Sequence, residues 1–256
     1  MNVLWTTLKK ELMSYFFSPI AYVIAVLFYL FRGLDVQSLT ESMNRFGGDL
    51  DAFTTLYIFR HSTNFMIVLV PPILTMRCFA EEKRLGSLEV LMTAPVRDWE
   101  VVLGKWLAAL LFFAILWLPT LALLGVLTTS PFLAAPVAFG PAFSGYLGLF
   151  LLGALLLSAG CFTSSLTDNQ LLASLSAMLF NTALLAGPVV VEPLVADAAK
   201  EHTFVRTLLA QTNVYDHLIN WFARGLIDTG QVVFYLGGTF FFLFLTVKAV
   251  ESRQWR

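Results

Sequence analysis

Residues 106–167 read WLAALLFFAILWLPTLALLGVLTTSPFLAAPVAFGPAFSGYLGLFLLGALLLSAGCFTSSLT, a run of 62 residues without Asp, Glu, Lys, Arg or His. A membrane-spanning helix needs about 20 apolar residues, so the run is long enough for two spans and a neutral connector. Pro131, Pro136, Gly140 and Pro141 indicate where that connector lies. A soluble core helix can be apolar on all sides, but not over this length. The stretch therefore predicts an all-α polytopic membrane protein.

The composition of the whole chain agrees with this interpretation. Of its 256 residues, 58% are hydrophobic and 13% are charged, whereas a soluble domain carries about 25% charged residues. The formal net charge of −1 gives no electrostatic support for nucleic-acid binding. Cys78 and Cys161 are the only cysteines, and without metal-ligand spacing they are predicted to remain free thiols.

The N-terminal residues 1–17 predict an amphipathic helix at the membrane interface. Its apolar face consists of Leu4, Trp5, Leu8, Leu12, Tyr15 and Phe16. Its opposite face consists of Thr7, Lys10, Glu11 and Ser14. The apolar face is expected to lie in the lipid boundary, and Pro19 then allows the chain to turn into the first span.

Six spans follow in a single transmembrane domain that covers residues 1–256. The predicted spans are residues 19–37, 61–78, 100–127, 143–166, 171–191 and 231–249. Residues 38–60 form an external polar loop, and residues 192–230 form an external helical segment expected to lie against the outer membrane surface. Small residues recur in the fourth span, where they allow helices to approach closely. They indicate packing inside the subunit, with a seam between two subunits as the alternative.

The distribution of basic residues predicts the orientation, because cytoplasmic loops are enriched in Lys and Arg. The termini and the connector between spans two and three contain Lys9, Lys10, Arg77, Lys83, Arg84, Arg97, Lys105, Lys248, Arg253 and Arg256. The other side contains Arg32, Arg45, Arg60, Lys200, Arg206 and Arg224, spread over longer loops. Both termini and the connector are therefore expected in the cytoplasm, with the protein in the inner (cytoplasmic) membrane.

The connector at residues 79–96 is longer and more highly charged than a simple turn between spans requires. Leu85, Leu88 and Met92 share one face at helical spacing, with Lys83 on another, and Pro95 closes the segment. Such a helix can lie on the membrane and present its polar face to a soluble partner. The alternative is a solvated loop that only fixes the topology.

Three stretches resemble the ABC type 2 export permeases, and among them the GldF-like gliding-motility permeases and the NosY-like permeases. They are residues 81–89 with residues 93–96, residues 98–105 at the start of the third span, and residues 224–228 before the last span. In order and length the resemblance covers nearly the whole chain. It implies that residues 79–96 form a cytoplasmic coupling helix that docks on an ABC ATPase subunit.

The resemblance also implies roles for the connector residues and for other chains. The expected ATPase interface consists of Glu81, Glu82, Lys83, Arg84, Gly86, Ser87 and Glu89. Leu85, Leu88 and Met92 would hold the helix on the membrane. A second copy of the permease, or a related permease chain, would complete the transporter.

The sequence contains no phosphate-binding loop of the Gly-x-x-x-x-Gly-Lys-Ser/Thr type. We therefore expect a non-catalytic chain without a cofactor or metal site of its own, with ATP and Mg bound by the partner ATPase. Span centres without ionisable residues agree with an energy source in another protein. His61, His202 and His217 are predicted at or beyond the external face, which disfavours haem ligation within the spans.

A second hypothesis is that the chain makes the same ATPase contact but transports no solute. In that case the chain is a membrane anchor or mechanical transmitter that acts on an external partner through residues 38–60 or 192–230. A continuous polar path through a dimer would favour transport, and the sequence does not reveal one.

The predicted orientation can be tested by single-cysteine labelling in intact cells. Ser87→Cys is expected to be protected from a membrane-impermeant reagent and Ser38→Cys to react, because the connector is predicted to be cytoplasmic and residues 38–60 external. The reverse pattern would overturn the orientation.

Overall fold

The computed structural model describes residues 3–46, 61–86, 97–129, 139–194 and 211–252. Over these ranges the chain forms helices and turns. In chain order the helices are α1 (Val3–Phe17), α2 (Pro19–Phe46), α3 (His61–Thr75), α4 (Ala80–Arg84), α5 (Asp98–Thr129), α6 (Phe139–Leu166), α7 (Gln170–Leu194), α8 (Val214–Asp216) and α9 (Thr229–Glu251). A π-helical turn (His217–Trp221) and a 3-10 turn (Phe222–Arg224) follow α8.

Six segments of the described chain are long and apolar enough to cross a membrane, which confirms the predicted all-α, six-span architecture. They are Pro19–Ser38, Thr63–Arg84, Asp98–Ala122, Gly140–Leu166, Gln170–Val191 and Thr229–Glu251. The second segment continues past α3 to the end of the charged helix α4. α4 thus follows α3 directly after the turn at residues 76–79, and residues 87–96 of the predicted coupling helix lie outside the described residues.

Helix α6 lies at the centre of the bundle. Over an apolar stretch of 18 residues in its spanning segment, 72% of the residues are buried, against 22% in the corresponding stretches of α7 and α9. Glycines allow this packing, because a Cβ at Gly153 would lie 2.5 Å from the Phe113 ring of α5 and one at Gly160 would lie 2.1 Å from Thr75 Oγ1 of α3. These contacts lie inside the subunit, as predicted for the small residues of the fourth span.

The packing of α1 differs from the prediction. α1 runs alongside the first turns of α5, since Thr7 contacts Gly104 near one end and Tyr15 stacks on Phe112 near the other, with ring centroids 5.3 Å apart. Glu11, predicted on a polar face, is largely buried and points towards α5. Spacing shows which residues share a face of a helix but not which neighbour that face will meet, and the face that contains Glu11 meets α5.

The described part of the predicted external segment, residues 211–228, packs on the bundle rather than lying only on a membrane surface. Leu218 and Phe222 are buried. Ser144 of α6 donates a hydrogen bond to the Phe222 carbonyl at 2.6 Å, and the Phe222 ring occupies the space above Gly148. The segment is therefore attached to the end of α6 opposite α4.

The central glycine packing predicts that Gly160→Ala destabilises the protein. The added methyl group would collide with Thr75, whose β-branched side chain is held by a hydrogen bond to the Pro71 carbonyl at 2.9 Å. Overpacking of this kind costs about 1–3 kcal/mol. We expect a lower melting temperature in detergent for Gly160→Ala. Gly187→Ala in α7 is the control, because nothing lies within 4 Å of its added Cβ, and an equal loss in both variants would contradict the packing argument.

Candidate functional site

The charged helix α4 is fixed at its beginning by a side chain of α6. The Ser164 hydroxyl accepts hydrogen bonds from the backbone N–H groups of Phe79 (3.1 Å) and Ala80 (3.2 Å). The first N–H groups of a helix have no partner within the helix, so this hydroxyl acts as an N-terminal cap. The helix ends at Arg84, and two residues further on Gly86 has a φ of +68°, in the left-handed region that glycine adopts readily.

Of the four consecutive charged residues of α4, the middle two make inward contacts and the outer two face outward. Glu82 points inward to Lys105, and Lys83 Nζ donates to the Ser165 backbone carbonyl of α6. Glu81 is 37% exposed and lies 4.0 Å from Arg77, and Arg84 is exposed. Only Glu81 and Arg84 of this group therefore present charge to a partner approaching α4 from outside.

Lys105 is the centre of a partly buried charge cluster. Its ammonium lies 2.8 Å from Glu11 Oε1 of α1 and 2.9 Å from Glu82 Oε1 of α4, and its side chain is 2% exposed. It also lies 5.5 Å from the centroid of the Phe79 ring. Lys10 lies 3.5 Å from Glu82 and 3.9 Å from Glu11. Two ammonium groups thus balance two carboxylates.

Tyr15 links the same end of the bundle to α3. Its hydroxyl donates to the Leu74 carbonyl at 2.8 Å and lies 3.6 Å from Cys78 Sγ. Burial raises the pKa of Tyr15 well above its usual value, and the neighbouring Cys78 raises it further. The phenol therefore remains a neutral donor. Cys78 and Cys161 are both buried free thiols, as predicted.

A cavity of about 270 Å³ opens beside the charge cluster, between α1, the start of α2, the end of α3 and α4. Its polar wall includes Lys10, Glu11, Arg77 and Lys105. Unfilled space next to an ion-paired cluster leaves room for α4 to change its position without a collision.

The structure brings together only some of the predicted interface residues. Glu81, Glu82, Lys83, Arg84 and Gly86 lie on or directly after α4. Ser87 and Glu89 lie outside the described residues, as do Leu88 and Met92. Leu85 is 67% exposed, so it does not pack on the described part of the protein.

Sequence reasoning missed the roles of Glu11 and Lys105. The sequence interpretation treats Lys105 only as a basic residue of the cytoplasmic side, and Glu11 only as part of a polar helix face. A charged residue that directly precedes an uninterrupted apolar stretch is a usable signal, because a charge near the bilayer needs a partner. The partners themselves come from distant parts of the sequence.

A second buried ion pair lies near the opposite end of the bundle. Arg32 Nη1 lies 3.4 Å from Asp35 Oδ2 and donates to Thr63 Oγ1 at 2.5 Å, and the guanidinium lies 5.5 Å from the centroid of the Trp117 ring. Arg32 was predicted only as a residue of the external side. It joins α2 to α3 and α5.

Six apolar spans, with a charged helix held against their ends by ion pairs and hydrogen bonds, define a multi-pass helical membrane protein. The family model of the ABC-2 family transporter proteins matches residues 5–250, and the chain belongs to that family. Members of this family are membrane transport subunits and are generally not catalytic. No curated protein matches the chain significantly.

The charge cluster predicts a specific pattern of stability. Lys105→Met is expected to destabilise the protein by about 3 kcal/mol, because it removes the closest cation of two largely buried carboxylates and leaves the more distant Lys10 beside them. The triple variant Glu11→Gln, Lys105→Met, Glu82→Gln removes both charge signs and should recover most of the loss. Thermal unfolding in detergent measures both effects. Equal destabilisation of the single and triple variants would show that the ion bridge is not responsible.

Proposed function

We propose that this chain is the membrane-spanning subunit of an ABC exporter. A separate ATPase subunit, which binds ATP and Mg, docks on α4 and on the residues that follow it. The observation that carries the proposal is the division of charge on α4, where Glu81 and Arg84 face outward and Glu82 and Lys83 hold the helix to the bundle. Membership of the ABC-2 family implies an ABC ATPase partner in general.

The inward contacts of α4 connect it to other helices of the bundle, so a displacement of α4 can be transmitted to the spans. Through Glu82 and Lys105, a displacement of α4 acts on α5 and, through Glu11, on α1. Through Ser164 and Ser165 it acts on α6. Closure of the ATPase subunits would therefore move the N-terminal helix and two spans together.

Export also requires a second membrane subunit, which is either another copy of this chain or a related permease. The outer helices α2, α7 and α9 present broad apolar surfaces, on which Val26, Leu179 and Phe240 are each more than 60% exposed. Lipid and a second subunit are the two environments that cover such surfaces. We place the protein in the inner membrane with both termini in the cytoplasm, on the basic-residue distribution.

A second candidate function is supported by the contacts of α6. One end of this helix holds α4 through Ser164, and the other end holds the segment around Phe222 through Ser144. A rigid helix that connects the proposed docking site to the far surface can pass movement to an external partner without transport of a solute. ATP-dependent release of a lipid or solute from vesicles would favour export over this mechanical role.

Docking can be tested by exchanging the two outward charges of α4. The double variant Glu81→Arg, Arg84→Glu keeps the net charge but reverses the sign of the charge at each of the two positions. An ATPase surface that is complementary to the native charges should then repel the variant helix. Single exposed ion pairs contribute only about 0–1 kcal/mol, so both positions are changed together. We expect an ABC ATPase that binds the native chain to co-purify about tenfold less efficiently with this variant, and its stimulated hydrolysis to fall in parallel.

The matched control exchanges Lys248 and Glu251 at the end of α9. These residues are 2.6 Å apart, and Glu251 is 37% exposed, the same fraction as Glu81. The control should leave co-purification unchanged. Glu82 is not used in this experiment because its reversal would also disrupt Lys105. Normal co-purification and coupling in the α4 variant would show that α4 is not the docking element.

A further inference from the structure

The two cysteines of the chain, Cys78 and Cys161, belong neither to the charge cluster at Lys105 nor to the proposed ATPase contacts. Cys78 lies in the turn between α3 and α4, and Cys161 lies in α6. Although they are far apart in the sequence, both belong to one cluster of buried side chains. Two thiols in one cluster can react with each other, which a single buried thiol cannot do.

Helix α6 approaches the chain closely on both sides of Cys78. Before Cys78, a Cβ at Gly160 would lie 2.9 Å from the Cβ of Thr75, so the backbones of α3 and α6 are almost in contact. After Cys78, the Ser164 hydroxyl accepts a hydrogen bond from the Phe79 N–H at 3.1 Å. Cys78 is therefore held against the turns of α6 that lie between Gly160 and Ser164.

Cys161 lies in that part of α6, directly after Gly160. The side chains of Cys78 and Cys161 interact with each other in the structure. A disulfide joins Cβ atoms that are about 3.5–4.5 Å apart, so it forms only where two backbones approach closely. The contact between α3 and α6 at Gly160 provides such an approach. The pair is thus placed to form a disulfide within one chain.

The two thiols differ in their access to small molecules. Cys78 lines the cavity of about 270 Å³ beside the charge cluster, and so does Tyr15, whose hydroxyl lies 3.6 Å from Cys78 Sγ. The wall of this cavity also includes Lys10 and Lys105, so water and small polar molecules can enter. Cys161 is fully buried and is not among the described residues of the cavity wall. A small oxidant should therefore reach Cys78 first.

We propose that Cys78 and Cys161 form a redox-active pair that hydrogen peroxide converts into a disulfide. The Cys78 sulfur attacks one peroxide oxygen and the O–O bond breaks, which leaves a sulfenic acid; the departing hydroxide and the thiol proton form water. The Cys161 sulfur then attacks the sulfenic sulfur and the S–O bond breaks. The hydroxyl group leaves with the Cys161 proton as a second water. The peroxide is reduced, and the two thiols are oxidised to one disulfide.

The disulfide attaches the turn before α4 covalently to α6. In the reduced chain, the hydrogen bonds to Ser164 hold the start of α4 on α6. A covalent link between distant residues restricts the unfolded chain, so oxidation should stabilise the fold. If α4 docks an ATPase as proposed above, the link would also restrain the movement of α4. That consequence rests on the proposed function, whereas formation of the disulfide does not.

Hydrogen peroxide is added to the purified full-length chain in a nonionic detergent, and mass spectrometry follows the two cysteine peptides. We expect both thiols to disappear together into one linked peptide pair within a single chain, and dithiothreitol to restore them. The melting temperature should rise by about 5 °C or more on oxidation and return on reduction. Oxidation of either cysteine to sulfinic acid without a linked peptide, or links only between two chains, would overturn the proposal.

Two matched single variants distinguish the thiols. Cys161→Ala leaves Cys78 without a partner, so its sulfenic acid should persist and react with dimedone. Cys78→Ala leaves only the fully buried Cys161, and dimedone labelling should be about tenfold lower at the same peroxide concentration. Neither variant should gain stability on oxidation. Equal labelling of both variants, or a stability gain in either, would contradict the proposal. If a substitution impairs folding, the linked peptide in the native chain decides the question.

Discussion

The ion bridge at Lys105 constrains the positions of three separate parts of the chain. One buried ammonium lies between a carboxylate of α1 and a carboxylate of α4, while its own backbone belongs to the first turns of α5. An unpaired charge at such low exposure would cost free energy of folding. The ion bridge therefore favours one relative arrangement of α1, α4 and α5. An ion bridge is also polar and directional, so it can be re-formed in a second geometry, which a close-packed apolar contact does not permit.

The centre of the bundle provides the opposite kind of contact. α6 meets its neighbours at glycines, where no side chain separates the helices, and Phe113, Thr75 and Phe222 fill the space that these glycines leave. Between helices in a lipid environment, such packing replaces the hydrophobic driving force available in water. The bundle therefore combines a close-packed apolar centre with a polar attachment for α4, an arrangement that suits the proposed transfer of movement from α4 to the spans.

The six-span fold could be predicted from the sequence because lipid requires every backbone polar group to be satisfied within its own segment. Apolar length alone then identifies helices, as for residues 106–167. The charge cluster could not be predicted in this way, because Glu11 and Lys105 are 94 residues apart and their contact depends on how α1 packs. The roles of Glu82 and Lys83 were missed for the same reason. Spacing on α4 shows that they are charged, and only the positions of α5 and α6 show that they point inward.

The double hydrogen bond to Ser164 has a mechanical consequence for α4. That hydroxyl fixes the first end of the helix. Gly86, which has a left-handed φ and no side chain to restrict its backbone, lies beyond the other end. Five residues extend only about 7.5 Å along a helix axis. A sideways displacement of about 1 Å at the Gly86 end then corresponds to a rotation of about 8° about the serine oxygen. If the proposed ATPase docks here, the segment would serve as a short lever with a defined pivot, and a small stroke from that partner would become a change of angle inside the bundle.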